Sequence, residues 1–265
     1  MLDLEQNLHY DANREIEWLI RWIHLFLWLR RVFDMKKFPE LLPESIIERA
    51  SKLEVSQICD GMKAVKIPHY GTMYPQIGPV DPSFKMVGTA MTVETADGDN
   101  FPIHVATYTA PQEGYVMVID GKGYDGCAYL GDKIMGACKD MGYKGIVIDG
   151  YTRDRSGNIE LQFPVFSRGL TPAGPVKKNP GKLNENIYCG GIMVQPGDLV
   201  CGDEDGVCVV PRDKIEEVLA EAEKKKAYED KRDITIAEYA EKKAKGEPLP
   251  QLAPQWVLDM MDEGK

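Results

Sequence analysis

Three side chains near the ends of two successive predicted strands could bind an anion and a cation together. Asp132 stands before a predicted helix, and twenty residues separate it from Arg153 and Asp154, which follow the next strand. Because the carboxyl ends of parallel strands share one edge of an α/β sheet, we expect the three to converge there. Arginine offers a planar fork for a carboxylate, and aspartate a hard oxygen for Mg²⁺ or Mn²⁺. Taken singly, Asp132 is more simply a helix N-cap and the Arg-Asp pair a surface ion pair.

A glycine-rich loop permits a second chemistry. The sequence GKGYDG at 121–126 has the GxGxxG spacing of dinucleotide-binding loops, and Asp149 ends the next strand where such a site keeps its ribose-binding acid. In a dinucleotide fold the helix opens within the glycine motif, whereas this helix is predicted to begin at Asp132. The strands after Phe163 also lack crossover helices. An NAD-dependent dehydrogenase is therefore the lesser alternative.

The elements that must position these residues indicate a mixed α/β core. Strands are predicted at 86–95, 115–120, 145–149, 163–166, 192–194, 199–201 and 207–210. Helical periodicity is present at 133–141, beyond Arg212, and in two short helices between Pro43 and about Met62. Gly190-Gly191 and Asp205-Gly206 are predicted turns between strands.

Composition excludes several kinds of ligand. The 265 residues, 43% hydrophobic, can bury one substantial core. Asp plus Glu (42) exceed Lys plus Arg (32), which gives a net charge of −10, so no nucleic-acid partner is expected. The six cysteines form no CxxC pair and the four histidines no HxH or HxxxH spacing, which disfavours zinc and indicates reduced thiols in a cytoplasmic protein.

The beginning of the chain differs from the rest. Residues 14–33 hold three of the four tryptophans and place Trp18 and Trp22 on one apolar stripe, which predicts an amphipathic helix within an extension at 1–34. The apolar run is too short to span a bilayer. Packing on the domain is slightly favoured over a weak contact with a membrane surface or self-association. A natural start at Met35 is a further alternative.

The end of the chain is predicted to be helical. Over 214–245 many Glu and Lys residues surround one apolar face, which is typical of a solvated helix. An apolar stripe within 256–261 is predicted to pack on a neighbouring surface. We divide the chain into the N-terminal extension, a central domain at 35–221 and a tail at 222–265.

Several separate motifs, in the same order, resemble those of the RraA-like family, which includes the 4-hydroxy-4-methyl-2-oxoglutarate/4-carboxy-4-hydroxy-2-oxoadipate aldolases and the regulators of ribonuclease activity. The family's D-x20-R-D pattern lies in GDKIMGACKDMGYKGIVIDGYTRD, which ends at Asp154. The further matches are FPVFSRG (163–169), a TPxGxVK-like run (171–177) and CGGIMVQPGDLVCGDEDGVCVVP (189–211). The resemblance covers roughly Pro43 to Glu221.

The resemblance implies an α/β fold of the swivelling β/β/α three-layer type, with helical extensions added at both ends in this chain. It also implies a trimer or a dimer of trimers, with active sites between subunits. We therefore expect a homotrimer or homohexamer.

The resemblance also implies a site for a small 2-oxo acid. Asp154 would hold Mg²⁺ or Mn²⁺, partly through water, and Arg153 would bind the carboxylate of the pyruvoyl portion. Asp132 would act on water as the acid/base partner, and Lys177 would lie near the distal oxygens of the substrate.

Backbone groups are predicted to assist at the start of the helix that follows Gly131. Helix N-termini favour anions, so the N–H groups of Lys133, Ile134 and Met135 are candidates for binding the substrate carboxylate.

The implied reaction is retro-aldol cleavage or decarboxylation of a 4-hydroxy-2-oxo acid or an oxaloacetate-like dicarboxylate. It releases pyruvate through an enolate that a chelated metal stabilises, as in a class II aldolase. Aldolases of the family carry an acid three residues after the metal-binding Asp; here that position is Gly157, and Glu160 is the nearest acid downstream. Members without that acid resemble oxaloacetate decarboxylases or non-catalytic regulators. A metal-dependent lyase is expected, and a regulatory binding protein is the alternative.

Overall fold

The computed structural model describes residues 37–179 and 181–263, so the predicted N-terminal helix lies outside the described residues. The helices are α1 (Glu44–Ala50), α2 (Val55–Ala64), α3 (Phe101–Thr109), α4 (Asp132–Asp140), α5 (Arg155–Leu161), α6 (Ile215–Lys245) and α7 (Gln255–Glu263). The strands are β1 (Gly78–Pro79), β2 (Met86–Glu94), β3 (Tyr115–Asp120), β4 (Ala128–Leu130), β5 (Gly145–Thr152), β6 (Val165–Leu170), β7 (Lys182–Leu183), β8 (Ile187–Cys189), β9 (Ile192–Val194), β10 (Leu199–Asp203) and β11 (Gly206–Val210).

The main sheet of the described chain runs in the order β1-β6-β5-β3-β2-β10-β11, with β4 beside β5 and β7 beside β2. Strands β2, β3, β5 and β6 are parallel to one another, and β10 and β11 extend the sheet as an antiparallel hairpin. Every residue of β3 is buried, as expected for a parallel strand covered on both faces.

Alternate side chains of the central strands enter two different cores. Met117 and Ile119 face the layer of helices α3 and α4, whereas Val116 and Val118 face strands β8 to β11. A third core joins α1, α2 and the first turns of α6 to the outer face of the β10–β11 hairpin. The main sheet therefore has the helical layer on one face. It curls so that its own strands β10 and β11, with the separate β8–β9 hairpin, form the β layer on the other face, which confirms the predicted β/β/α arrangement.

The predicted strands are confirmed. The short strands β1, β4, β7 and β8 and two helices beside the site were not predicted. Helix α3 buries most of its residues and so lacks a polar face that would mark it as amphipathic. Helix α5 contains Gly157, a poor helix former, and is capped at its C-terminus by Gln162, whose φ of 49° is left-handed.

The C-terminal tail leaves the domain early. Helix α6 buries Ile215, Val218, Leu219 and Ala222, all within its first turns, and its later turns are largely solvated, as predicted. In α7, Met260 is 66% exposed, so the predicted packing of that stripe is not seen among the described residues. The division at residues 35, 221 and 222 stays a prediction. Within the described chain, no helix has both the length and the hydrophobicity to cross a membrane.

Candidate active site

The carboxyl ends of β4 and β5 bring the predicted site residues together. The two strands are parallel neighbours, with Leu130 opposite Thr152, and the amide of Arg153 donates to the Leu130 carbonyl at 3.1 Å. Asp132 and Asp154 therefore leave the sheet side by side. With Arg153 they line one cavity of about 190 Å³.

Asp132 is the first residue of α4 and not its N-cap, so that part of the prediction was wrong. Gly131 is the cap, with an extended backbone (φ −137°, ψ −170°). The Asp132 side chain makes no capping bond; its Oδ2 lies 3.1 Å from Lys133 Nζ, and 26% of the side chain is exposed. Its carboxylate therefore faces the cavity and is not hydrogen-bonded to the amides at the start of the helix.

The backbone groups at the start of α4 divide into two sets. The amides of Ile134 and Met135 both donate to the Gly131 carbonyl at 3.1 Å, and the Met135 side chain is fully buried in the core. Ile134 and Lys133 also line the cavity. Two of the three predicted amides, those of Ile134 and Met135, already have an acceptor. Of the three, the amide of Lys133 therefore stays the candidate for binding an anion.

Asp154 has an unusual backbone that directs its carboxylate. Its φ of 61° and ψ of 45° are left-handed, and although it caps α5 its side chain makes no capping bond. A β-carbon added at Gly131 would overlap Asp154 Oδ2, so the carboxylate lies directly over that glycine. Arg153 Nε is 3.4 Å from Asp154 Oδ2, and both side chains are 43% exposed. The pair is accessible to a ligand from the cavity.

Lys177 reaches the same cavity on a loop that covers β4. The loop is tied down where Ala128 N donates to Ala173 O at 2.9 Å. Buried Asp99 accepts the amides of Lys178 at 2.8 Å and Asn179 at 2.7 Å. These bonds hold the exposed Lys177 at the cavity wall.

Two further cavity residues were missed from sequence. Asn100 is 2% exposed; its Nδ2 donates to Tyr129 O at 2.9 Å, and its Oδ1 has no hydrogen-bond partner among the described residues. His104 follows one turn later on α3. The sequence Asn100-Phe-Pro was an available signal, because Asn followed closely by Pro is typical of a helix start.

The pKa of His104 offers a test of this arrangement. Burial lowers it first, and the positive charge of Lys177 lowers it further. We expect Lys177→Met to raise the pKa of His104, because a cation near the imidazole is removed. Proton NMR titration, with the resonance assigned through His104→Gln, measures the shift. An unchanged pKa of His104 would mean that Lys177 is too far from the imidazole for its charge to influence the residues of the cavity.

The donor set fits a hard divalent cation that keeps much of its water. Among the described residues, no group of three or more His, Cys, Asp or Glu side chains is placed to hold a metal ion. The cavity nevertheless offers the carboxylates of Asp154 and Asp132. Mg²⁺ is commonly bound by one or two carboxylates plus water and substrate oxygens, so Asp154 suits it without further protein ligands.

Gly157 lies against Asp132. A β-carbon at Gly157 would stand 2.8 Å from Asp132 Cβ and 2.9 Å from its Oδ2. Glu160 is exposed on α5 and is not among the residues that line the cavity. The acid absent at position 157 is therefore not replaced at the cavity by Glu160.

The glycine-rich loop does not present a ribose site. Asp149 Oδ1 pairs with Arg168 Nε, and its Oδ2 accepts the Gly190 amide at 3.1 Å. The loop itself closes back on β5, where Gly123 N donates to Asp149 O at 2.9 Å. Because both carboxylate oxygens serve the fold, the geometry disfavours the dehydrogenase alternative.

Comparison with known proteins identifies a family and relatives. The RraA-like family model, described as Aldolase/RraA, matches residues 55–209. A protein of Halalkalibacterium halodurans named "Putative 4-hydroxy-4-methyl-2-oxoglutarate aldolase" is 42% identical over 162 residues, which cover 61% of this chain and 77% of that protein. An uncharacterised protein of Methanocaldococcus jannaschii is 31% identical over 156 residues, covering 58% of this chain and 75% of its own.

Solved structures agree with this grouping. Streptomyces coelicolor RraAS2, described as an unusual member of the RNase ES inhibitor RraA protein family, matches with a TM-score of 0.66 and 25% identity over 72% of this chain and 97% of its own. An uncharacterised protein of Pseudomonas syringae matches with a TM-score of 0.65 and 25% identity over 76% and 92% of the two chains.

Proposed function

The chain belongs to the Aldolase/RraA family, and from that premise we propose that it is a divalent-metal-dependent carbon–carbon lyase of small 2-oxo acids that releases pyruvate. The observation that carries this proposal is the convergence of Asp132, Arg153 and Asp154 on one cavity. A guanidinium beside a carboxylate suits a ligand that is both an anion and an oxygen donor. The name of the Halalkalibacterium relative supports the aldolase activity.

Each residue has a task that its position allows. Arg153, partly exposed beside Asp154, binds the carboxylate of the pyruvoyl portion. The Lys133 amide at the start of α4 gives that anion a second donor. Asp132 moves a proton between water and the reacting carbon or oxygen, since its carboxylate makes no capping bond and faces the cavity.

Asp154 is the residue that would hold Mg²⁺ or Mn²⁺. When bound, the cation supplies positive charge beside the 2-oxo group, where negative charge develops as the carbon–carbon bond breaks. Asp154 is oriented for this task by its left-handed backbone and by the absence of a side chain at Gly131.

We assign recognition of the distal end of the substrate to two other residues of the cavity lining. Lys177 supplies a positive charge, and Asn100 supplies an acceptor that lacks a protein partner among the described residues. Asn100 Oδ1 is itself covered, so a ligand hydroxyl must displace a neighbouring group to reach it. Because a buried acceptor without a partner is costly, that hydrogen bond would be favoured once formed. A 4-hydroxy-2-oxo acid has such a hydroxyl, and oxaloacetate in its keto form does not.

The Asn100 contact predicts a difference between substrates. We expect Asn100→Ala to raise KM for a 4-hydroxy-2-oxo acid about tenfold, the effect of roughly one hydrogen bond, while KM for oxaloacetate changes little. Steady-state kinetics on both substrates check this. Equal losses on the two would remove Asn100 from hydroxyl recognition.

We also propose a homotrimer or homohexamer in the cytoplasm. The β8–β9 hairpin supports assembly, because Tyr188 and Met193 form a cross-strand pair that is 63% and 59% exposed. Sedimentation velocity measures the assembly, and a purely monomeric protein would contradict it.

The test of function is pyruvate release from 4-hydroxy-4-methyl-2-oxoglutarate and from oxaloacetate, each with Mg²⁺ and with EDTA. Turnover of the hydroxy acid that EDTA abolishes would establish an aldolase despite Gly157. Turnover of oxaloacetate alone would establish a decarboxylase. Metal-independent turnover would contradict the proposed role of Asp154.

The second candidate function is that of a regulatory binding protein, and the observation that favours it is the glycine at position 157. The family acid is absent at the position next to Asp132, and the fold matches the inhibitor relative RraAS2. Absence of turnover with both substrates, together with a stable complex with a ribonuclease partner, would favour this candidate.

A further inference from the structure

Apolar side chains remain exposed on one stretch of the C-terminal tail. We define the tail patch as Tyr228 and Ile236 of α6 together with Leu252, Trp256 and Met260. Their exposed fractions run from 37% at Leu252 to 66% at Met260. Grouped exposed apolar side chains, unlike scattered ones, mark a surface that is covered in the working protein.

One hydrogen bond draws the tail patch together. Arg232 Nη1 donates to the Leu252 carbonyl at 2.8 Å, which holds the chain that follows α6 against the middle of that helix. Tyr228 and Ile236 lie one turn before and one turn after Arg232, on the same helix face. Trp256 then lies four residues beyond Leu252, at the beginning of α7.

We propose that residues 14–33 of the same chain cover the tail patch as an amphipathic helix. Their stripe of Trp and Leu residues supplies an apolar face of the required kind. Charge favours the α7 part of the patch. This segment has four arginines and two glutamates, whereas α7 has Asp259, Asp262 and Glu263 and no Lys or Arg. On the α6 part, Lys225 Nζ lies 6.0 Å from the centre of the Tyr228 ring, so contact there rests on the apolar side chains.

The described chain begins where such a helix can reach the tail. Phe38 packs on Tyr115, with ring centroids 5.7 Å apart, and Arg212 Nη1 donates to the Glu40 carbonyl at 2.7 Å. Residues 38–40 are thus fixed beside the start of α6. A twenty-residue helix is about 30 Å long, and the turns of α6 from Ile215 to Arg232 span about 26 Å. The lengths match.

A second apolar groove suits the segment less well. This groove, of about 310 Å³, is lined by Ile47 and Leu53 but also by Lys85 and Lys144. Asp203 also lines the groove and Lys85 is paired with Glu54 at 2.9 Å, so charge does not separate the two surfaces. The apolar residues of the groove are buried or half-buried, whereas those of the tail patch are exposed. The tail patch therefore leaves more apolar surface to be covered.

Tryptophan fluorescence of the full-length protein tests this inference directly. The four tryptophans of the chain are Trp18, Trp22, Trp28 and Trp256, so all lie in the two surfaces that would meet. We expect Met260→Glu to shift the emission to longer wavelength and to increase acrylamide quenching at least twofold. The matched control is Ile234→Glu, at a residue that is 69% exposed on the opposite face of α6, and it should leave both unchanged.

Trypsin gives an independent readout at Arg21, Arg30 and Arg31. Cleavage there should be at least tenfold slower in the wild type than in Met260→Glu, with circular dichroism confirming that both are folded. Equal quenching and cleavage in the two proteins would overturn the proposal. Protection from trypsin that is lost on dilution would mean that a second copy of the chain covers the patch. Protection that requires anionic vesicles would mean that the segment binds a membrane. Either result overturns the intramolecular contact.

Discussion

Asp154→Asn is expected to lower kcat/KM for pyruvate release by about 10²–10³-fold, the usual cost of removing one group that stabilises developing charge. The asparagine keeps the size of the side chain but loses the anionic oxygen that would hold the cation. Asn also adopts left-handed backbone readily, so the φ of 61° remains accessible. The melting temperature should therefore stay unchanged while activity disappears.

Calorimetric titration with Mg²⁺ separates binding from turnover in this variant, because affinity for the cation should fall with the lost charge. The matched control is Glu160→Gln on α5, which removes an exposed carboxylate a few residues away and outside the cavity. Equal kinetic losses in the two variants, or wild-type turnover in Asp154→Asn, would rule out a specific role for Asp154.

Gly131→Ala is expected to lower kcat/KM about 10²-fold without unfolding the protein. The new β-carbon would overlap Asp154 Oδ2 and lie 3.1 Å from Arg153 Cγ, so both side chains must shift. A displacement of about 1 Å in a positioned group is enough for a loss of this size. The fold tolerates alanine because Gly131 has negative φ and the atoms it meets belong to side chains at the cavity.

Gly136→Ala is the control for that variant. It also adds a methyl group in the same segment, but on α4 the β-carbon would meet only Leu161 atoms, at 3.7 and 3.8 Å. It should raise the free energy of unfolding by roughly 0.5–1 kcal/mol, since alanine favours a helix interior over glycine. Kinetics and thermal melts on both variants decide: a Gly131→Ala enzyme as active as Gly136→Ala would mean that Asp154 does not need that space.

Much of the site could be predicted from the sequence because the apolar pattern of a strand shows where the strand ends. Apolar runs located β3 and β5, and the rule that ligands bind at the carboxyl ends of parallel strands placed Asp132, Arg153 and Asp154 at one edge. The structure brings the three residues together through β4, a short strand that was not predicted: it pairs with β5 and ends at Leu130, two residues before Asp132. The family resemblance added the role for Lys177, and this residue does line the cavity.

The remaining site features depend on tertiary contacts that periodicity does not reveal. Asn100 precedes α3 as its N-cap, and His104 lies on this helix. The sequence of α3 is apolar on nearly every side because both the sheet and α4 cover it. Gly131 caps α4 because of its local backbone geometry. The sequence Gly-Asp alone does not show which of the two residues is the cap. The exposure of the α7 stripe could not be predicted either, since an amphipathic pattern indicates a contact but not what makes it.

The left-handed backbone of Asp154 has a consequence for directed evolution. An L-residue in this conformation costs up to about 1–2 kcal/mol, less for Asp than for most, and glycine adopts it with no steric penalty. Selection for heat resistance alone would therefore tend to accept Asp154→Gly and discard the carboxylate. At position 154, thermal stability favours glycine and turnover favours aspartate. A screen for a thermostable enzyme must therefore measure activity in every round.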